Sequence, residues 1–187
     1  PAKVDQDTRS IGSKGGGLQE PMPKQCTSNN DSQSPRPAWA DKDFECLLFA
    51  VAGLKLCVPL VSLGGVHRLS AELTPLFGMP AWFLGLYPSG EVNLKVVDTA
   101  RWIMPERYSP DWLNSLKFLI CLDNSEWALA CSEVSAVMTL QPQQVKWRSQ
   151  RSQRAWLAGT VMSQMCALID IDGLLGKLAC HEPKKGP

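Results

Sequence analysis

Apolar residues are sparse and aperiodic over the first 43 positions, then become dense and regular. In residues 1–43, Gly15-Gly16-Gly17, Ser28-Asn29-Asn30 and the prolines Pro21, Pro23, Pro35 and Pro37 interrupt every period. Such a segment buries too little surface to offset its chain entropy, which predicts a disordered, linker-like tail. From position 44 the pattern is one of short strands. Residues 44–51 and 54–58 are apolar and β-prone around Ala52-Gly53. They predict a hairpin whose ladder ends at Pro59, which has no N–H to donate. A third strand is predicted near 65–69, followed by a loop to Met79 and a short helical turn opened by Pro80. Residues 84–87 and 92–97 flank Pro88-Ser89-Gly90 as a second hairpin. Asp98 is placed to cap a short helix over 99–103, which Pro105 stops.

The pattern then starts again. Residues 117–122 and 126–131 flank the turn sequence Asp123-Asn124-Ser125, and 134–140 reads as a further strand. A basic stretch over 146–154 precedes a last hairpin ending at Ile169, and Asp170 or Asp172 caps a final helix reaching about 178. Trp82-Phe83-Leu84-Gly85 stands before a strand ending Val96-Val97-Asp98, and Trp156-Leu157-Ala158-Gly159 before one ending Leu168-Ile169-Asp170. Gly85 and Gly159 lie 74 positions apart, Asp98 and Asp170 72. An internal duplication follows, with halves at about 44–110 and 111–180 and a short C-terminal tail over 181–187. Half a chain of this size is marginal alone, so the expectation is all-β: two small barrels side by side burying a shared apolar seam. Trp82 and Trp156 should fill equivalent places under the last hairpin of each barrel. Gly85 and Gly159 should permit close backbone approach or a bend, and Asp98 and Asp170 should act as helix caps.

Composition narrows the function. The 187 residues, 44% hydrophobic, suffice for one domain and a tail, and a net charge of +1 gives little long-range pull toward nucleic acid or acidic lipid. No apolar run approaches the roughly 20 residues that span a bilayer, and the N-terminus has no apolar core of a signal peptide. A cytoplasmic protein is expected. The seven cysteines are odd in number, form no C-x-x-C, and mostly sit in apolar runs, as small buried hydrophobes do in a reducing compartment. His67 and His181 have no histidine near them, and no phosphate-cradling glycine motif or G-x-S-x-G elbow occurs. No catalytic residue, metal or cofactor is therefore predicted. The concentrated charge lies in Lys146-Trp147-Arg148-Ser149-Gln150-Arg151-Ser152-Gln153-Arg154-Ala155-Trp156, with four basic residues, no acid and two tryptophans. It reads as a grip on single-stranded nucleic acid, as a solvated connection whose tryptophans enter the core, or as a protein-binding rim at Trp147, Arg148 and Arg151.

The duplicated pattern resembles the CheW-like domain of bacterial chemotaxis. The residues that carry the resemblance are the opening hairpin, the strand 63–69, Leu73-Thr74-Pro75-Leu76, Trp82-Phe83-Leu84-Gly85-Leu86, Val97-Asp98, and Ala167-Leu168-Ile169-Asp170-Ile171-Asp172-Gly173-Leu174-Leu175. The resemblance covers about 44–178. Within the family, Trp102-Ile103-Met104-Pro105-Glu106-Arg107-Tyr108, Val145-Lys146-Trp147-Arg148-Ser149 and Trp156-Leu157-Ala158-Gly159-Thr160-Val161-Met162 are similar to the ParP-like polar array-integration members. The resemblance implies two SH3-like five-stranded barrels with short capping helices. It also implies a non-enzymatic scaffold that binds the histidine kinase CheA and the tips of methyl-accepting chemoreceptors. For ParP-like members it adds the polar ATPase ParC, bound through the N-terminal region, and a place at the cell pole. Leu63, Val66 and Val137 are the family-matched candidates to line an apolar groove between the barrels. One departure stands out: where ordinary members carry Leu-Arg-Gly in the hairpin, this chain has Tyr87-Pro88-Ser89-Gly90-Glu91.

Overall fold

The computed structural model describes residues 36–149 and 154–181. In chain order its strands are β1 (Phe44–Val51), β2 (Leu54–Pro59), β3 (Leu63–Arg68), β4 (Phe83–Ser89) and β5 (Val92–Val97). Helix α1 (Thr99–Ile103) follows, then β6 (Phe118–Leu122), β7 (Trp127–Cys131), β8 (Glu133–Leu140), β9 (Val145–Trp147), β10 (Leu157–Val161), β11 (Cys166–Ile169) and α2 (Ile171–His181). The four hairpins form where turn residues interrupt apolar runs. The β1–β2 turn places Ala52 and Gly53 at φ 47° and 82°, and Asn124 takes φ 53° between β6 and β7. Short polar or small residues adopt this left-handed conformation at least cost.

The strands form one six-stranded sheet, β8-β1-β2-β11-β10-β9, and one five-stranded sheet, β3-β6-β7-β5-β4. This corrects the expectation of five strands in each. It also corrects the expectation that each half of the sequence makes its own barrel: the opening hairpins are exchanged. β1 and β2 pair with β8 and β11 from the second half, and β6 and β7 pair with β3 and β5 from the first. The joins between β5 and β7 and between β11 and β2 are parallel, the other pairings antiparallel. The connections explain the exchange. Only Ser132 separates β7 from β8, and one residue cannot reverse a strand into its own sheet, since the tightest common hairpin needs two. The chain instead crosses to the other sheet, where the Ser132 backbone N–H and hydroxyl both donate to the Ala50 carbonyl at 3.0 Å. Between β2 and β3, Pro59 ends the ladder and a 3-10 turn over Leu60–Ser62 makes the equivalent crossing.

The exchange sets where the core sits. The larger cluster draws from both sheets and includes Leu47, Phe49 and Leu56 on one side and Leu119, Ile120 and Leu129 on the other. A smaller cluster, with Phe44, Cys46, Cys57, Cys166 and Leu168, fills the six-stranded sheet alone. The β1–β2 hairpin is thus buried on both faces, which is why its sequence reads as a nearly continuous apolar run rather than an alternation. Among the described residues five cysteines are buried and outside any disulfide, and Cys180 is exposed. Burial pushes the Cys131 thiol up to about 12 and raises that of Cys121. At neutral pH these sulfurs stay protonated, and only a thiolate attacks or binds metal.

The fold begins before position 44. Residues 1–35, most of the expected tail, lie outside the described residues. Within 36–43, however, Ala40 is fully buried and Trp39 stacks edge-on to Phe44 at 5.0 Å and lies 6.1 Å from Trp147. Deleting residues 1–40 should therefore lower stability relative to deleting 1–35, by about 1–3 kcal/mol for one half-buried aromatic and one alanine. Paired thermal melts of the two truncations measure the difference, and coincident melts would refute a structural role for Trp39. At the other end α2 runs through His181, into the segment expected to be tail.

Candidate functional site: an apolar surface between two sheets

The duplication is visible in matched contacts. The Trp82 carbonyl accepts from the Asp98 N–H at 2.7 Å, and the Trp156 carbonyl accepts from the Asp170 N–H at 2.7 Å. Asp98 Oδ1 accepts from the Arg101 N–H and Asp170 Oδ1 from the Gly173 N–H, each at 3.1 Å. A Cβ on Gly85 would lie 2.7 Å from the Thr74 carbonyl oxygen, and one on Gly159 2.7 Å from that of Lys146. These contacts hold each last hairpin and its helix against the preceding strand segment, so the six positions belong to the frame of the molecule. The two tryptophan side chains diverge all the same. Trp156 is buried in the shared core, whereas Trp82 is half-buried, 4.8 Å from Trp102, 5.9 Å from Trp127 and 6.2 Å from His181.

Asp98 differs from an ordinary cap in its surroundings. It is wholly buried, and Oδ1 also accepts from Trp112 Nε1 at 3.0 Å. Among the described residues Oδ2 has no hydrogen-bond partner. Burial first, and then the Asp98 carboxylate, hold the nearby Tyr108 hydroxyl above its ordinary range, and the Arg101 guanidinium lies 4.5 Å over the Tyr108 ring. This network ties the inter-half connection to α1.

The predicted partner-binding residues fall in three situations. Val66 and Val137 are 40% and 52% exposed, and each lies on the strand that ends its sheet, β3 and β8. Val66 pairs with Ile120 and Val137 with Leu47. Directly paired residues share a face, and both partners are buried members of the core common to the two sheets. The two valines therefore bring the margins of the inter-sheet core to the surface. Leu63, on the same face as Val66 through its pairing with Leu122, is half-buried against that core. In the basic stretch, Trp147 is anchored: its Nε1 donates to the Pro142 carbonyl at 2.9 Å and its ring packs on Trp39 and Phe44. With Trp156 buried as well, neither tryptophan presents the open ring that stacking on bases requires. Arg148 is exposed, with its backbone N–H bonded to the Ala158 carbonyl at 3.0 Å, and Arg151 lies outside the described residues.

The sequence reading did not single out Val61, 64% exposed in the crossing turn before β3, nor Phe77, whose side chain stands free in the loop after it. Neither position carries a spacing signal, because a lone apolar residue in a loop looks the same whether it turns in or out. Among the described residues no three or more His, Cys, Asp and Glu side chains converge as a metal site, and no helix is long and apolar enough to cross a membrane.

Two β-sheets that exchange their opening hairpins around a shared core define a mostly β module. The chain belongs to the CheW-like domain family, whose match spans residues 45–179; this is a family of non-catalytic scaffold and coupling domains in chemotaxis. A solved structure similar in fold is that of the scaffolding protein TtCheW from Thermoanaerobacter tengcongensis, with a TM-score of 0.55 at 12% identity, covering 67% of this chain and 86% of that one. No curated protein matches the chain in sequence.

Proposed function

We propose that this chain is a ParP-like scaffold of the chemosensory array, docking the histidine kinase CheA and methyl-accepting chemoreceptor tips from the cytoplasm, at the cell pole. The observation that carries the reading is the pair Val66 and Val137, exposed apolar side chains in corresponding edge positions, each alongside the buried inter-sheet core. Val61 extends the same apolar character. Apolar anchors backed by a packed core are the usual seat of binding energy at a protein interface. Arg148 serves as rim charge, which governs association rate more than affinity. The β4–β5 hairpin tip bears exposed Pro88, Glu91 and Val92 and no arginine, which favours a specialised array member over an ordinary receptor–kinase coupler. Polar recruitment by the ATPase ParC falls to the N-terminal segment.

The test is binding of the full chain to a purified CheA regulatory domain and to a receptor tip fragment. Val66→Asp and Val137→Asp, both at exposed positions, should leave the melt unchanged and weaken binding roughly 30-fold or more, the loss of about 2 kcal/mol at a hot spot. Reversing charge at Arg148 should change mainly the association rate and its salt dependence. Folded valine variants that bind like the wild type would remove the groove. A wild-type chain that binds neither partner where a CheW control binds would remove the array assignment.

A further inference from the structure

Three thiols share the core of the six-stranded sheet. Cys46, Cys57 and Cys166 are all buried in its own cluster. They come from β1, β2 and β11, so the first two belong to the exchanged hairpin and the third to the last hairpin of the chain. The Cys166 S–H donates to Cys57 Sγ at 3.5 Å, and the Cys57 S–H donates to the Ala167 carbonyl at 3.7 Å. Cys46 lies on the same face, two residues along from Leu48, which pairs directly with Cys57. Sulfurs in a disulfide stand about 2.05 Å apart, so Cys57 and Cys166 lack only roughly 1.5 Å of approach. The pair straddles the shortest join in its sheet. β2 and β11 run parallel and match at Ala167 with Leu56 and Leu168 with Cys57 alone.

The closed molecule keeps both sulfurs unreactive. The hydrogen bond from Cys166 lowers the Cys57 thiol, but Cys46 and burial outweigh it and hold that thiol well above its ordinary range. The bond to Cys57, and then burial, raise Cys166 likewise. A thiol that keeps its proton does not attack. Access comes from the chain beside Cys166, the first residue of β11. It follows a turn over 162–165 in which Met162 and Met165 are 58% and 76% exposed and Met165 takes φ 49°. A strand end beside an exposed turn with a left-handed non-glycine residue opens at low cost, as in local unfolding. Opening brings Cys166 to water, where a thiolate can form, and closing returns it to Cys57.

We propose that Cys57 and Cys166 are a covalent modification site: a peroxide joins them in a reversible disulfide that staples the first half of the chain to the second. In the open state the Cys166 thiolate attacks one peroxide oxygen. The O–O bond breaks, Cys166 becomes a sulfenic acid, and the departing hydroxide takes up the thiol proton as water. On closing, the Cys57 sulfur attacks the Cys166 sulfur, the S–O bond breaks, and a second water leaves with the Cys57 proton. Two thiols lose two electrons in all, and one peroxide is reduced to two waters. The bond links positions 109 apart in sequence. It restricts the unfolded chain far more than a link within one hairpin, so the oxidised form is the more stable. The site is buried and separate from Val66 and Val137, and the inference needs no partner.

The folded full chain is treated with hydrogen peroxide, denatured with N-ethylmaleimide to trap the remaining thiols, and mapped by peptide mass. The Cys57 and Cys166 peptides should be recovered joined, and a thiol reductant should part them. The oxidised chain should melt several degrees above the reduced one, a shift that reductant abolishes. Cys57→Ala, treated alike, should show neither the joined peptides nor the upward shift, which separates the bond from oxidation of the exposed methionines. Cys46→Ala should still form the bond. Because the mapping is read on the wild-type chain, it decides the matter even if a variant folds poorly. Folded chain with Cys57 and Cys166 unjoined overturns the proposal. So does a link from Cys57 to Cys46, which would tie only one hairpin. A link that forms only after denaturation overturns it too, as does a joined chain that melts no higher than the reduced one.

Discussion

Alanine at Gly85 or Gly159 is expected to cost about 3–5 kcal/mol and about 2–3 kcal/mol respectively, a large fraction at either site of the roughly 5–15 kcal/mol that holds a domain folded. The added methyl at Gly85 would meet the Thr74 carbonyl oxygen at 2.7 Å and its carbon at 3.0 Å, both backbone atoms in the single bridge that closes the five-stranded sheet. Backbone cannot rotate aside as a side chain can, so relief requires parting β4 from that bridge. Gly85 also sits at φ 147°, a conformation an L-residue adopts only under strain of roughly 1–3 kcal/mol. At Gly159 the methyl would meet the Lys146 carbonyl oxygen at 2.7 Å and Val145 Cγ1 at 2.8 Å, but no left-handed φ adds to the overlap. Gly85→Ala should thus be the more damaging of two changes at equivalent places. Urea unfolding of both variants, read at a common m-value, gives the ordering. Costs below about 0.5 kcal/mol at both sites would mean that the strand approach is looser than the structure has it.

Asp98→Ala is expected to destabilise by about 3 kcal/mol or more. The change strands two donors, Trp112 Nε1 and the Arg101 N–H, of which the tryptophan is itself buried. Each unsatisfied buried donor costs about 1–3 kcal/mol, and the lost helix cap is part of that sum. Asp98→Asn keeps an acceptor oxygen for both donors and should restore a large share of the stability. It places an amide where Oδ2 now has no partner, so the rescue should be incomplete. Near-ultraviolet circular dichroism adds a local readout, because the Trp112 ring is held by this bond. An alanine variant as stable as the wild type would show that the Asp98–Trp112 bond makes no net contribution. An asparagine variant no better than alanine would show that the charge matters more than the acceptor.

Much of the local structure was legible before any coordinates. The predicted hairpins, the strand following each opening hairpin and the two Asp-headed helices appear with boundaries shifted by three residues at most, because turn residues and apolar period are local properties. The misreadings have a common cause. β9 was hidden because Val145-Lys146-Trp147 is three residues long inside a charge-rich stretch, and its strand character comes from its partner β10. The helical turn predicted at Pro80 is an ordinary turn leading into β4. Trp39 was read as tail, since the short Ala38-Trp39-Ala40 stretch stands between Pro37 and the polar Asp41-Lys42-Asp43 with no apolar period around it; its neighbours in space are Phe44 and Trp147. For the candidate surface, the strands bearing Val66 and Val137 could be named in advance. Their exposure could not, since Leu47 and Ile120, equally apolar and on the same face, are buried.

The sequence by itself determined the kind of elements, their order and the two-fold repetition, because each of these depends on residues close together in the chain. Tertiary structure decided which half pairs with which. A strand carries donors and acceptors along both edges, and β2 would satisfy them as well beside β5 of its own half as beside β11 of the other. Nothing in its own residues distinguishes the two. The choice falls to the length of the crossings at Ser132 and at Leu60–Ser62, which are too short or too rigid to turn back, and to the gain from burying both faces of β1–β2 and β6–β7 in one common core.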